Sequence, residues 1–347
     1  MIDRRTLLSA IGGSALAGVA ATTLASPTKA HASTPSSDGL IDIHSHFVPD
    51  FYLREALAAG IVLPDGMPKW PSWSVGEHIA MMDDCGIDTA ILSISSPGVH
   101  FGDDARAAAL ARRVNDFAAD VSAKDPRLGF FASLPLPNIA DSVVEAIRAL
   151  DQLKADGVTM MSNAAGMYLG NLALTPLLAA LDARSAVVFV HPTSPPNVGA
   201  VALGRPAPMI EFLFDTARTV IDLLVLGTID RFPNIRWVIT HGGGVLPLLA
   251  DRVDFFRSQV GLGNPPTPEI LSRLWYDLAG TPIPRQIPSL ISVAGSEHVV
   301  YGSDYCFTPV SAVHQQIESI DTAVPVKGLE DWRRVTSSNA RGLLRNF

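Results

Sequence analysis

The sequence predicts a (β/α)8 barrel, and three observations carry that expectation. Eight short runs, nearly all apolar, alternate with longer amphipathic stretches through most of the chain. Apolar runs without polar alternation suit parallel strands covered by helices, and eight such units suggest closure on themselves. Residues able to bind metal or move protons fall at the ends of these runs, where such a barrel places its chemistry.

Taken in order, residues 1–32 stand apart. Arg4-Arg5 precede an uncharged, Ala/Gly-rich run, and Ala30-His31-Ala32 offers a small-residue cleavage site. That pattern predicts a twin-arginine export signal and a periplasmic mature protein. The run is too short and too weakly apolar to serve as a membrane anchor. Residues 33–39 form a polar linker, and the barrel is expected over 40–347. Without residues 1–32 the chain carries 23 basic against 33 acidic side chains, a balance that argues against nucleic acid as a partner. Cys85 and Cys306 are too few for a disulfide framework, and Cys85 sits in a helical, core-facing pattern.

The first strand, Leu40–Ile43, runs into His44 and His46. In a strand, residues two apart share a face, so both imidazoles point to one place and supply half of a metal shell. Asp42 shares that face on the same count. Pro49–Trp73, with four prolines, reads as a long irregular loop over the site. The next seven strands are Thr89–Ser93, Leu128–Leu134, Gly157–Met161, Ala186–Val190, Ile235–Thr240, Trp275–Leu278 and His298–Tyr301. Between them lie helices over Val75–Cys85, Asp104–Ala123, Ile139–Lys154, Thr175–Arg184, Met209–Asp230, Val245–Ser258, Pro268–Leu274 and Pro284–Ala294, and two more follow the last strand. Strand five ends at His191, strand six at His241, and strand eight at Asp304. Four of the nine histidines thus occupy strand ends, which scattered placement would not produce. His78, His100 and His314 fall on helix or loop positions and read as solvated.

In this order and spacing, DIHSH, FVHP, THGGG and YGSDY resemble the amidohydrolase superfamily, and within it the aminocarboxymuconate semialdehyde decarboxylase branch. FFASLPLPN, YLGN, EFLFDTAR and VTSSNARGLL are most similar to its 6-methylsalicylate decarboxylase-like members. The resemblance implies that His44, His46, His191 and Asp304 hold one divalent ion, zinc ahead of manganese, with His241 and Asp304 as acid/base groups. A second ion is not expected, since strand four lacks the lysine that bridges two metals, and Lys154 precedes that strand. Two stretches depart from the family pattern: Asn163-Ala164-Ala165, and Cys306 after Tyr305.

The activity this implies is non-oxidative decarboxylation of a hydroxylated aromatic or muconate-like acid, such as 6-methylsalicylate. A metal-dependent hydrolase of a lactone, ester or amide would use the same residues and is the alternative. A metal-using binding protein is a third reading, but it has no need of His241 beside a complete ligand set. Arg252 matches an arginine that in related decarboxylases reaches the substrate of a neighbouring subunit; its other reading is a surface ion pair with Asp251 or Asp254. Arg54 and Phe47, following the first strand, are further substrate-binding candidates, and Trp70, Trp73 and Phe307 are candidates for an aromatic pocket. Related enzymes are commonly homodimers, which sets the same expectation here.

Overall fold

The computed structural model describes residues 39–280 and 283–344; the leader and most of the linker lie outside them. Eight parallel strands follow one another around a single sheet: β1 Leu40–His46, β2 Ile87–Ser93, β3 Leu128–Ser133, β4 Gly157–Met161, β5 Val187–His191, β6 Arg236–Ile239, β7 Trp275–Asp277 and β8 Val299–Val300. The sheet closes where β1 meets the chain leaving β8. Ile43 N–H donates to the Tyr301 carbonyl at 3.0 Å, and Asp304 N–H to that of His44 at 2.7 Å. The fold is a (β/α)8 barrel.

Its interior holds Ile41, Ile43, Ile91, Phe131, Phe189 and Val238, with Phe131 and Phe189 stacked at 5.2 Å. The final helix, Trp332–Leu343, places Ala340 and Leu343 in this same cluster. A second, larger apolar layer lies between strands and helices. Helix starts follow local chemistry: Ser74 Oγ accepts from Glu77 N–H while its hydroxyl meets the Glu77 carboxylate, a reciprocal cap on Val75–Cys85.

The structure corrects three local expectations. Pro49–Trp73 is not irregular throughout, because Asp50–Ala58 is a helix in which Pro49 occupies the N-cap and costs no hydrogen bond. Met209–Asp230 is not one helix; Glu211–Val225 stops where Gly227 turns to φ +65°, and Thr228–Arg231 restarts. His78 is buried rather than solvated, with Nδ1 accepting from Trp73 Nε1–H at 3.0 Å and the ring set edge-on to Tyr305.

Candidate metal centre

Four side chains converge at the mouth of the barrel. His44, His46, His191 and Asp304 each bring one ligand atom within 4.8 Å of all the others. β1 delivers its two histidines through an irregularity. Its pairing with β2 slips between Asp42 and Ser45, so the strand gains a residue and its faces exchange. Ile41 and Ile43 point into the barrel below the slip, and His44 meets the interior Phe189 ring above it. The same slip corrects the expected position of Asp42. That residue lies on the outer face, where it accepts from His44 N–H, Ser303 N–H and Ser303 Oγ at 3.0, 3.0 and 2.5 Å. Burial raises its carboxyl to about 7 against those hydrogen bonds.

Each imidazole is fixed through its Nδ1. His44 Nδ1 meets Asp277 Oδ2 at 2.7 Å, His46 Nδ1 meets the Ser93 carbonyl at 3.2 Å and its hydroxyl at 3.0 Å, and His191 Nδ1 meets the Pro192 carbonyl at 2.7 Å. Carbonyl and carboxylate partners accept only, so Nδ1 carries the proton in each ring and the Nε2 lone pair faces the centre. Three lone pairs and a carboxylate pointing at one spot are the donor set of a divalent cation, and they fit it.

The four donor atoms lie close to one another. His44 Nε2 lies 3.1 Å from His46 Nε2, and Asp304 Oδ1 is 3.4 and 3.1 Å from the two. Burial works against charge on His44, but Asp277 and Asp304 outweigh it and raise the ring to about 10. Burial and neighbouring imidazoles drive His191 well below the ordinary histidine value. Burial would raise Asp304, yet His241, His44 and His46 hold it well below the usual carboxylate range. A cation takes the place of the shared proton, so metal binding competes with protonation.

His241 follows β6 with φ +53°, and its N–H donates to Asp277 Oδ1 at 2.7 Å. Its Nε2 stands 3.5 Å from Asp304 Oδ2, while Nδ1 is buried with no hydrogen-bond partner. The glycines after it face the protein itself: a Cβ on Gly244 would meet the Leu213 carbonyl oxygen at 2.4 Å. Asp277, which the sequence reading does not single out, ends β7 and so shares the strand-end position of the other site residues. It joins two roles, aligning His44 and anchoring the backbone of His241.

A cavity of about 230 Å³ opens beside this cluster, lined by His191, His241, Asp304, Phe307, Phe212 and Asp65 among others. Phe307 therefore lies on the cavity and Trp70 stands behind it, with ring centroids 6.2 Å apart. Trp73 packs away from it against Phe47, and Phe47 is a core residue stacked on Phe117. Arg54 is exposed on the helix Asp50–Ala58. Arg252 is exposed on the helix Leu246–Gln259 with its guanidinium 5.3 Å from the Phe256 ring centre. Asp254 pairs with Arg257 at 3.8 Å. Cys306 is buried, and Asn163 Nδ2 donates to Asp215 Oδ2 at 2.8 Å.

A family model described as Amidohydrolase matches residues 41–345. The chain belongs to the amidohydrolase family. Relatives of this amidohydrolase include the decarboxylase yanB of Aspergillus niger, 34% identical over 331 residues and covering 88% of each chain. The 6-methylsalicylic acid decarboxylase of Penicillium expansum is 34% identical over 284 residues, covering 79% of this chain and 86% of the relative. Among solved structures, an amidohydrolase II superposes with a TM-score of 0.82 at 34% identity, over 88% of this chain and 99% of its own. A dihydroxybenzoic acid decarboxylase from Polaromonas, solved with manganese and 2-nitroresorcinol, gives a TM-score of 0.74 at 23% identity, over 88% and 96%; at that identity the likeness is one of fold.

Proposed function

We propose that this amidohydrolase is a metal-dependent, non-oxidative decarboxylase of a hydroxylated aromatic acid, with 6-methylsalicylate as the first candidate. The observation that carries the reading is the set of three Nδ1-anchored imidazoles plus Asp304, with His241 poised beside it. Relatives at 34% identity that are named decarboxylases support it over the hydrolase alternative. His44, His46, His191 and Asp304 would hold one divalent ion. Zinc suits three neutral imidazoles and one carboxylate, and the manganese of a structural neighbour makes that ion the second to assay. When bound, the ion supplies a Lewis acid and a template for the oxygens of the acid.

The chain's own residues supply the rest. Phe212 and Phe307 give apolar walls to a cavity sized for one aromatic ring. His241 and Asp304, 3.5 Å apart, share the work of holding a proton and passing it to the ring carbon that bears the carboxylate. Protonation at that carbon leaves the carbon–carbon bond electron-deficient; its electron pair returns to the ring, and CO2 departs. Asp277 is a positioning residue for both His44 and His241.

The test is mass spectrometry of the metal-assayed protein incubated with 6-methylsalicylate and other ortho-hydroxybenzoates. We expect product lighter by CO2, reduced at least about a hundredfold in His241→Asn, with bound metal unchanged. Gain of water on a lactone panel, with the acids intact, would transfer the assignment to a hydrolase.

Further expectations stand beside this reading. A homodimer is supported by an apolar face on helices Glu211–Val225 and Leu246–Gln259, where Leu248 is 75% and Phe255 59% exposed. Arg252 lies in that region, consistent with service to a neighbouring subunit's substrate, and light scattering reads the mass. Arg54 would act from the helix Asp50–Ala58 that follows β1, and Arg54→Ala with unchanged KM removes it. Twin-arginine export of residues 1–32 is checked by sequencing the mature N-terminus. No helix among the described residues is long and apolar enough to cross a membrane.

A further inference from the structure

The cavity beside the metal ligands contains a second carboxyl group with no role so far. Asp65 lies in the turn Pro64–Gly66, on the segment that follows the first helix and folds over the barrel mouth. Its Oδ1 accepts from Ser194 Oγ at 2.5 Å, and Ser96 lines the same cavity. Ser96 is braced in turn by Thr193 Oγ1 at 2.7 Å. The Ser194 hydroxyl fixes the carboxyl, and the residue lines the cavity.

Two features set Asp65 apart from an ordinary turn aspartate. Its backbone is left-handed, φ +51°. Eight described non-glycine residues share that conformation, and three of them, Asp65, His241 and Asp304, line this one cavity. Such backbone persists where surrounding structure demands it, and here it places three polar side chains around a single space.

The second feature is charge. Among the described residues lining the cavity there is no lysine or arginine, and Asp65 has no cationic partner. An ionised carboxylate left so would repel an incoming acid. Burial pushes the Asp65 carboxyl up, against the hydrogen bonds it accepts from Ser194. A carboxyl accepts a hydrogen bond in either protonation state, and donates one as well when neutral. Its natural complement on an aromatic ring is a hydroxyl, and Met67, Phe212 and Phe307 give the same cavity apolar walls.

We propose that Asp65 is a specificity-determining residue that hydrogen-bonds a ring hydroxyl of the substrate other than the one adjoining its carboxylate. The proposal rests on the decarboxylase reading above, and deepens it: a dihydroxybenzoate with its second hydroxyl at one defined position should outrank acids with a single hydroxyl, 6-methylsalicylate among them. A site built around a polar group discriminates against ligands that leave that group unpaired.

The experiment compares salicylate with 2,3-, 2,4-, 2,5- and 2,6-dihydroxybenzoate on the metal-loaded full chain. Dissociation constants come from calorimetry and kcat/KM from CO2 release. Asp65→Gly removes the carboxyl where glycine tolerates the backbone; Asp65→Ala removes it with a Cβ retained, and a thermal melt shows that each is folded. The wild type should bind one isomer at least about tenfold more tightly than salicylate. In both variants that preference should shrink to within about threefold, with salicylate binding little changed. A wild type with no preferred isomer, or a preference that survives loss of the carboxyl, overturns the proposal. An Asp65-dependent preference in binding without CO2 release from any acid would keep Asp65's role and sink the decarboxylase reading. CO2 release indifferent to Asp65 would do the reverse.

Discussion

Asp277 holds both the ring of His44 and the backbone of His241, so a single atom's change there reaches two functions. Asp277→Asn keeps the shape but can present an amide N–H to His44 Nδ1, favouring the wrong tautomer. Metal affinity should fall about 10- to 100-fold, read by competition with a chromogenic chelator; unchanged affinity would remove Asp277 from the site. Asp42 makes a different kind of prediction. Its folded-state carboxyl sits at about 7, above the ordinary aspartate value. The native state therefore holds this proton where the unfolded chain has released it, and stability from this group is lost as pH rises from about 4 through 7. Asp42→Asn should lose less stability than wild type between pH 5 and pH 7.5, by urea melts on matched metal-loaded samples. Equal pH slopes would mean that Asp42 ionises normally.

At the scale of elements, the site depends on how closely the chain leaving β8 passes β1. Gly302 has no side chain where a Cβ would stand 2.5 Å from His44 Cβ and 3.3 Å from Asp277 Cβ. Gly302→Ala must push one strand end from the other, so bound metal per chain should drop while far-ultraviolet circular dichroism stays barrel-like. A fully loaded variant would show that the seam can relax. The slip in β1 belongs to this scale too, and it explains what the sequence concealed. His44 and His46 are legible because i and i+2 share a face, but the exchange of faces below them is not, and a regular strand would put Asp42 on their side. Strand termini were readable at His191, His241 and Asp304 because histidine and aspartate interrupt apolar runs there. Asp277 ends a three-residue strand after an aromatic pair, a run too short for its polar end to stand out. The helix Asp50–Ala58 was hidden by the prolines around it, although Pro49 sits where a helix tolerates proline.

For the whole molecule, the ion and the fold are linked. Four ligands drawn from β1, β5 and the chain after β8 close on one point, so anything that binds there stabilises the barrel by mass action. Chelation should lower the melting temperature by several degrees, and adding back zinc or manganese should restore it; a melt indifferent to metal would place the site outside the fold's energetics. The alternation of apolar strands and helices made this architecture readable from sequence, since each strand needs cover on both sides. What alternation cannot convey is Asp65, whose place depends on Ser194, 129 residues away, and on how a covering segment folds back.

The meeting of first and last strands carries a further consequence, in time rather than space. His44 is made early and Asp304 near the end, and the helix that adds Ala340 and Leu343 to the interior cluster follows still later. A nascent chain can pack most of its strands against helices well before it owns a complete ligand set. Ion capture is thus among the final events in each molecule's assembly, and a chain clipped near its C-terminus would be silent however much of its barrel had formed.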